Sequence, residues 1–161
     1  MTKKTIRRKA VKKKPRKKWV NSNKPIHNGI TFDSDQELFM YKLLKNANIG
    51  FKYIGKDKGQ YNIQSSFMYG GECYERPQKR SKELKNRQNV LGVSYTPDFV
   101  GDSEEWFIEV KGRKLGDFPI RWKMFKQLLQ EKDNQPVLFM PVTKDDCKQV
   151  IEILIQKGYG K

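Results

Sequence analysis

Asp98, Glu109 and Lys111 are the residues of this 161-residue chain whose types and spacing point most directly to chemistry. In a strand, alternate residues share a face. Over Trp106–Lys111 (WFIEVK) that rule puts Glu109 and Lys111 on one side, roughly 6.5–7 Å apart along the chain. Trp106, Ile108 and Val110 fall on the other side, which is apolar and must be core. A carboxylate and an ammonium therefore share a face that could have been apolar. Asp98 lies on the preceding strand, and a hairpin turn through Gly101–Glu105 brings it to Glu109 across the ladder. Two carboxylates at short range attract a hard divalent cation, Mg²⁺ or Mn²⁺. Such an ion acidifies a bound water and stabilises charge on a phosphodiester, while a lysine alongside holds or deprotonates the attacking water. Without a metal the bland readings stand: Glu109 and Lys111 are a solvated strand face, and Asp98 is a turn residue after Pro97.

These residues need strands to carry them and helices to cover the strands. Apolar residues at helical spacing predict a first helix over Ser34–Asn48, with Leu38, Tyr41 and Leu44 on one stripe and Asn48 and Gly50 as stop signals. Strands follow at Phe51–Ile54, Tyr61–Tyr69, Val93–Val100 and Trp106–Lys111. Gly70–Gly71 reads as a turn. Pro77–Gln88 is basic and reads as a short helix or a loop, within an insertion over residues 70–92. Pro119–Lys132 is an amphipathic helix with Ile120, Met124, Phe125, Leu128 and Leu129 inward. Pro136–Val142 is a nearly all-apolar strand, as one buried on both faces would be. Thr143 caps a last helix over Lys144–Lys157, with Val150, Ile151, Leu154 and Ile155 as its apolar side. The order predicts an α/β fold with a mixed central sheet flanked by helices.

Pro97-Asp98, ten intervening residues and then Glu109-Val110-Lys111 resemble the PD-(D/E)XK nuclease motif. That resemblance implies a restriction-endonuclease-like αβββαβ core over roughly residues 30–157. The phrase YTPDF followed by ExKG looks most like the phage endonuclease-I-type Holliday-junction resolvases. By this likeness Asp98, Glu109, Lys111 and Glu37 are catalytic, and Asp98, Glu109, Glu37 and Val110 hold the metal. Glu37 opens the first helix in the setting Ser34-x-x-Glu37, and the same four residues read equally as a capping box, with Glu37 bonding back to the Ser34 backbone N–H. The implied activity is Mg²⁺-dependent endonucleolytic cleavage of DNA, branched DNA included, by a homodimer in the cytoplasm of a bacterial or phage-infected cell. The separation of Glu37 from Asp98 exceeds what the compact resolvases need, and most of the surplus is the basic stretch 70–92.

Charge gives independent support for a polyanionic partner. Residues 1–18 hold eleven Lys or Arg and no acid; removing those eleven from the chain's +16 leaves +5 on residues 19–161. Such a block repels itself and buries almost nothing, so residues 1–29 read as a basic tail and linker ahead of a domain over 30–161. Lys12, Lys13, Lys14, Arg16, Lys17 and Lys18 are its densest run and are expected to contact phosphates, each neutralised phosphate releasing condensed counterions. Arg113, Lys114, Arg121 and Lys123, just past the candidate site, are expected either to bind phosphate or to form a solvated surface. Two separated cysteines and one histidine exclude a disulfide framework and a zinc site. No apolar run is long enough to span a bilayer. The competing reading from composition is a non-catalytic nucleic-acid-binding or virion-associated protein that uses the tail as a polycation.

Overall fold

Asn28 and Gly29 both adopt left-handed backbone, with φ of 50° and 76°, the pairing that closes a two-residue hairpin. They join β1 (Ile26–His27) to β2 (Ile30–Thr31), so the last residues of the expected linker are paired strands. This is seen in a computed structural model that describes residues 24–55, 60–77, 82–112 and 116–160. The basic tail and its run Lys12–Lys18 lie outside the described residues.

Ser34, in extended backbone, caps α1 (Asp35–Asn46) by accepting the Glu37 N–H on its hydroxyl. Met40, Tyr41 and Leu44 are buried along that helix, and Glu37 shares their face at the spacing of one turn. β3 (Phe51–Tyr53) follows.

The chain then leaves the body as a two-stranded arm. β4 (Tyr61–Gln64), β5 (Phe67–Met68) and β6 (Tyr74–Glu75) run outward; β7 (Lys85–Asn86), β8 (Asn89–Val90) and β9 (Val93–Tyr95) return. Every pair is antiparallel: β4 with β9, β5 with β8, β6 with β7. Two expectations are corrected here. Gly70–Gly71 does not reverse the chain, because Tyr69 N–H donates to the Gln88 carbonyl and Arg87 N–H to the Cys73 carbonyl on either side of it. The described part of Pro77–Gln88 forms no helix. A helix there has no apolar stripe to bury, whereas an extended chain finds partners for its backbone on the outgoing strand.

The expected strand Val93–Val100 is two strands. Pro97 has no N–H to give a ladder, and at Thr96–Asp98 the chain passes from the arm into the central sheet. There β10 (Phe99–Gly101) pairs antiparallel with β3 and with β11 (Trp106–Ile108). After α2 (Phe118–Gln130), β12 (Val137–Phe139) pairs parallel with β11. The sheet order is β12-β11-β10-β3. α3 (Lys144–Gln156) starts with a capping box in which Thr143 and Asp146 bond reciprocally. The result is a mixed α/β fold with a mixed four-stranded sheet and three helices.

Each face of the sheet is covered. Phe99, Trp106, Ile108 and Phe139 pack with α1 and α3; Val100 and Phe107 pack with α2 and the root of the arm. The alternation within β10 and β11 thus feeds two cores, where the sequence pattern puts only the Trp106, Ile108 and Val110 side of β11 in a core. Two apolar assignments fail. Phe118, Phe125 and Leu129 set the buried stripe of α2, and Ile120, two residues from Phe118 and so roughly 200° around the helix, is 60% exposed. Ile155 at the end of α3 is also exposed.

Candidate active site

The β10–β11 hairpin pairs Phe99 with Ile108 and Val100 with Phe107; one step further along that register Asp98 stands opposite Glu109. The end of ladder pairing at Pro97 frees the Asp98 side chain, and its Oδ2 accepts the Val110 N–H at 2.7 Å. β11 is held straight beyond Ile108 by its parallel neighbour. Glu109 N–H donates to the Phe139 carbonyl and Lys111 N–H to the Pro141 carbonyl, each at 3.0 Å. Glu109 and Lys111 therefore share a face, as alternation predicts, and Lys111 Nζ donates to Glu109 Oε1 at 2.9 Å. Glu109 is 3% exposed, and its other oxygen accepts from the Tyr95 hydroxyl at 2.7 Å. Lys111 Nζ also sits 4.7 Å from the Phe118 ring centroid, where the negative face of the ring favours the cation.

Glu37 reaches the same place from the start of α1. Its carboxylate accepts from the Ser34 hydroxyl (3.0 Å), the Asp33 N–H (3.2 Å) and the Tyr53 hydroxyl (3.0 Å). The capping arrangement uses the Ser34 hydroxyl and the Asp33 N–H, not the expected Ser34 N–H. The same capping carboxylate also lines, with Asp98, Glu109 and Lys111, one cavity of about 240 Å³ at the end of the sheet. Three separate pieces of chain deliver its carboxylates, namely the first turn of α1, the break before β10 and the continuation of β11.

The electrostatics are those of acids crowded together. Burial raises the pKa of Asp98 well above the usual carboxylate range, and the charges of Glu109 and Glu37 raise it further against the opposing Val110 N–H and Lys111. Burial likewise raises Glu37, although three hydrogen bonds favour its charged form. Burial works against the Lys111 ammonium, but the charge and hydrogen bond of Glu109, with Asp98 and Glu37 behind them, outweigh it and lift the pKa. The three acids with one ammonium carry a surplus of two negative charges when ionised. Asp33, on the cavity rim, is paired with Lys24 at 3.4 Å. An all-oxygen donor set with that surplus matches a hard divalent cation. Among the described residues no three acidic, His or Cys side chains are gathered closely enough to hold an ion as they stand. The carboxylates are turned instead onto Tyr95, Lys111, Val110 N–H, Tyr53 and Ser34.

Of the cations expected beside the site, Arg121 lines a neighbouring cavity together with Glu109 and Lys111, where two of its nitrogens are already bonded. Its Nε donates to Asp117 at 2.7 Å and a terminal nitrogen to the Ser94 carbonyl at 2.8 Å, tying α2 to β9. Lys123 is exposed, roughly 200° around α2 from Arg121. Arg113 and Lys114 lie outside the described residues. Sequence reasoning assigned no role in the site to Tyr53 or to the Tyr95 hydroxyl. The Tyr95 ring is core, packed against Phe125 and Trp122, while its hydroxyl serves Glu109. Burial and the neighbouring carboxylate raise the pKa of both phenols, which keeps them donors. The available signal was that a buried Tyr needs a partner for its hydroxyl.

A family model described as "Protein of unknown function (DUF1064)" matches residues 16–138, a span that contains Glu37, Asp98, Glu109 and Lys111 and ends before α3. No curated protein and no solved structure matches the chain. Among the described residues no helix is long and apolar enough to cross a membrane.

Proposed function

This chain belongs to the DUF1064 family, and we propose that it is a metal-dependent endodeoxyribonuclease of PD-(D/E)XK type. The observation that carries the reading is the convergence of Asp98, Glu109 and Lys111, with Glu37 from a different element, on one cavity at the end of the sheet. A fold gains nothing by burying two carboxylates beside a third; the crowding opposes the ionisation of Asp98 and makes sense as a device for a ligand. The order α1, β3, β10, β11, α2, β12 supports a restriction-endonuclease-like αβββαβ core, with the arm inserted between its first and second strands.

In this reading Asp98, Glu109, Glu37 and the Val110 backbone hold Mg²⁺ or Mn²⁺. When bound, the ion supplies Lewis acidity toward the phosphodiester and lowers the pKa of water. The chain does the rest. Tyr95 and Tyr53 orient Glu109 and Glu37 through their hydroxyls. With Glu109 engaged by the ion, Lys111 Nζ would be free to hold the attacking water and offset charge on the phosphate. The Phe118 ring fixes the ammonium from behind. The basic tail would supply affinity for the DNA backbone. A homodimer acting on branched DNA in the cytoplasm of a bacterial or phage-infected cell is the finer form of this proposal.

The second reading, a non-catalytic nucleic-acid-binding or virion-associated protein on a nuclease fold, draws on one observation: Glu37, Glu109 and Asp98 each already have a partner from the protein. One experiment separates the two. A four-way junction, a linear duplex and a single strand are incubated with wild type, Lys111→Ala and Asp98→Asn, in Mg²⁺ or in EDTA. The nuclease reading expects Mg²⁺-dependent cutting that falls about 10²–10⁴-fold in each variant. Binding of all three DNAs with no cutting would establish the second reading.

A further inference from the structure

A larger cavity adjoins the acidic one. It has a volume of about 690 Å³ and shares Asp33, Tyr53 and Gly55 with the acidic cavity as common walls. Its floor is aromatic and aliphatic, built from Tyr41, Phe51, Tyr53 and Ile30. Tyr41 and Phe51 meet edge to face at 5.4 Å between centroids. Two cations also line it. Lys45 Nζ lies 5.1 Å from the Phe51 centroid and 5.8 Å from that of Tyr41, and Lys24 is paired with Asp33. The volume falls in the range of small-molecule sites, which combine an apolar lining with a few placed polar groups.

Resting on the nuclease reading, we propose that this cavity takes an unpaired nucleobase of the strand being cut, next to the scissile phosphate. A phosphodiester at the acidic cavity has its neighbouring nucleotide within reach of the shared wall, because the two cavities have residues in common. The lining suits a base better than a phosphate: aromatic rings offer stacking, which tolerates any base, and Lys45, which rests on the Phe51 and Tyr41 rings, can swing to a flanking phosphate as a base takes its place. A base stacked and paired within a duplex cannot enter a concave site; it must be extruded, at a cost that is least where the base is already unpaired. The substrate class that follows is DNA with an unpaired nucleotide adjoining the cut, such as a bulge, a flap or a branch point, in preference to continuous duplex.

Thr31 is exposed and lines the cavity without entering the core, so Thr31→Trp fills the space while leaving the acidic residues alone. Phe51→Leu removes a stacking face at nearly constant volume. Wild type and Thr31→Trp are compared on a continuous duplex and on the same duplex with a one-nucleotide bulge, in Mg²⁺. Separately, 2-aminopurine replaces the bulged base and its fluorescence is followed on binding to wild type and Phe51→Leu in EDTA. The proposal expects wild type to cut the bulged DNA about ten-fold faster or more, Thr31→Trp to lose that advantage while still cutting duplex, and Phe51→Leu to lose the quenching that wild type produces. An equal preference in wild type and Thr31→Trp, or equal quenching in wild type and Phe51→Leu, overturns it. If wild type cuts neither DNA, the nuclease reading fails by itself, and the quenching measurement still decides whether the cavity holds a base.

Discussion

The central sheet and the arm draw on similar residues and do opposite things with them. Phe99, Trp106 and Phe107 in the sheet are fully buried, packed between α1 and α3 on one side and α2 on the other. Phe67, Met68, Tyr69, Tyr74 and Leu91 in the arm are all exposed. A two-stranded ladder with nothing stacked on it is marginal in water, while a sheet covered on both faces holds the bulk of a domain's buried apolar area. Stability therefore belongs to the sheet, and the arm contributes something else. The candidate site sits at the seam: Asp98 is at the break where the chain passes from β9 of the arm to β10 of the sheet, and Tyr95, the last residue of β9, holds Glu109.

The sharpest way to break this comparison is to truncate an aromatic residue in each region. Phe107 packs edge to face against Tyr61 and Phe125. Phe107→Ala should destabilise the chain by about 3–5 kcal/mol in urea unfolding. Tyr74→Ala, a truncation of similar size on the arm, should change stability by no more than about 0.5 kcal/mol. Comparable losses would mean that the arm is part of the core.

The same contrast decides what was legible beforehand. Strands buried on both faces and helices with one apolar stripe write their periods into sequence, so α1, α2, α3, β11 and β12 were placed to within a few residues. The hairpin that sets Asp98 opposite Glu109 followed from the turn between them. Past β4, whose half-buried and exposed residues alternate, the outer arm writes no such signal. Its two faces are both largely exposed, so neither alternation nor a stripe is required, and its backbone pairing is satisfied across residues far apart in sequence, such as Cys73 and Arg87. The split at Pro97 was half legible: a proline inside an expected strand signals an edge or a bulge, but not that the chain changes partners there. The hydroxyls of Tyr53 and Tyr95 were hidden because their rings satisfy the apolar pattern, and only the fold reveals which carboxylate each tip meets.

The seam itself gives an effect of intermediate size and opposite sign. Asp98 is placed against Glu109 and Glu37 at a cost in stability, because burial and like charge both oppose its ionisation. Asp98→Asn removes that charge and keeps an oxygen to accept the Val110 N–H. Thermal unfolding at neutral pH should show the variant more stable by on the order of 1 kcal/mol, while DNA cleavage is lost. A variant that is less stable than wild type would mean that Asp98 holds the fold together through Val110 and that its crowding has no functional meaning.

The smallest expected effect comes from the largest change. Gln64 and Val93 pair across the root of the arm, so a two-residue Asn-Gly turn can join them in place of residues 65–92. β4 and β9 stay in place, and with them Tyr61 and Tyr95, whose rings pack on Phe125 of α2. If the outer ladders only pair with each other, their removal should leave the free energy of unfolding within about 0.5 kcal/mol of wild type, and the shortened chain should keep the Tyr95–Glu109 contact. A loss of more than about 2 kcal/mol would place the outer arm among the elements that hold the sheet. The family match extends across this arm. An unchanged stability on excision would therefore assign its exposed aromatic surface to contact with something outside the domain.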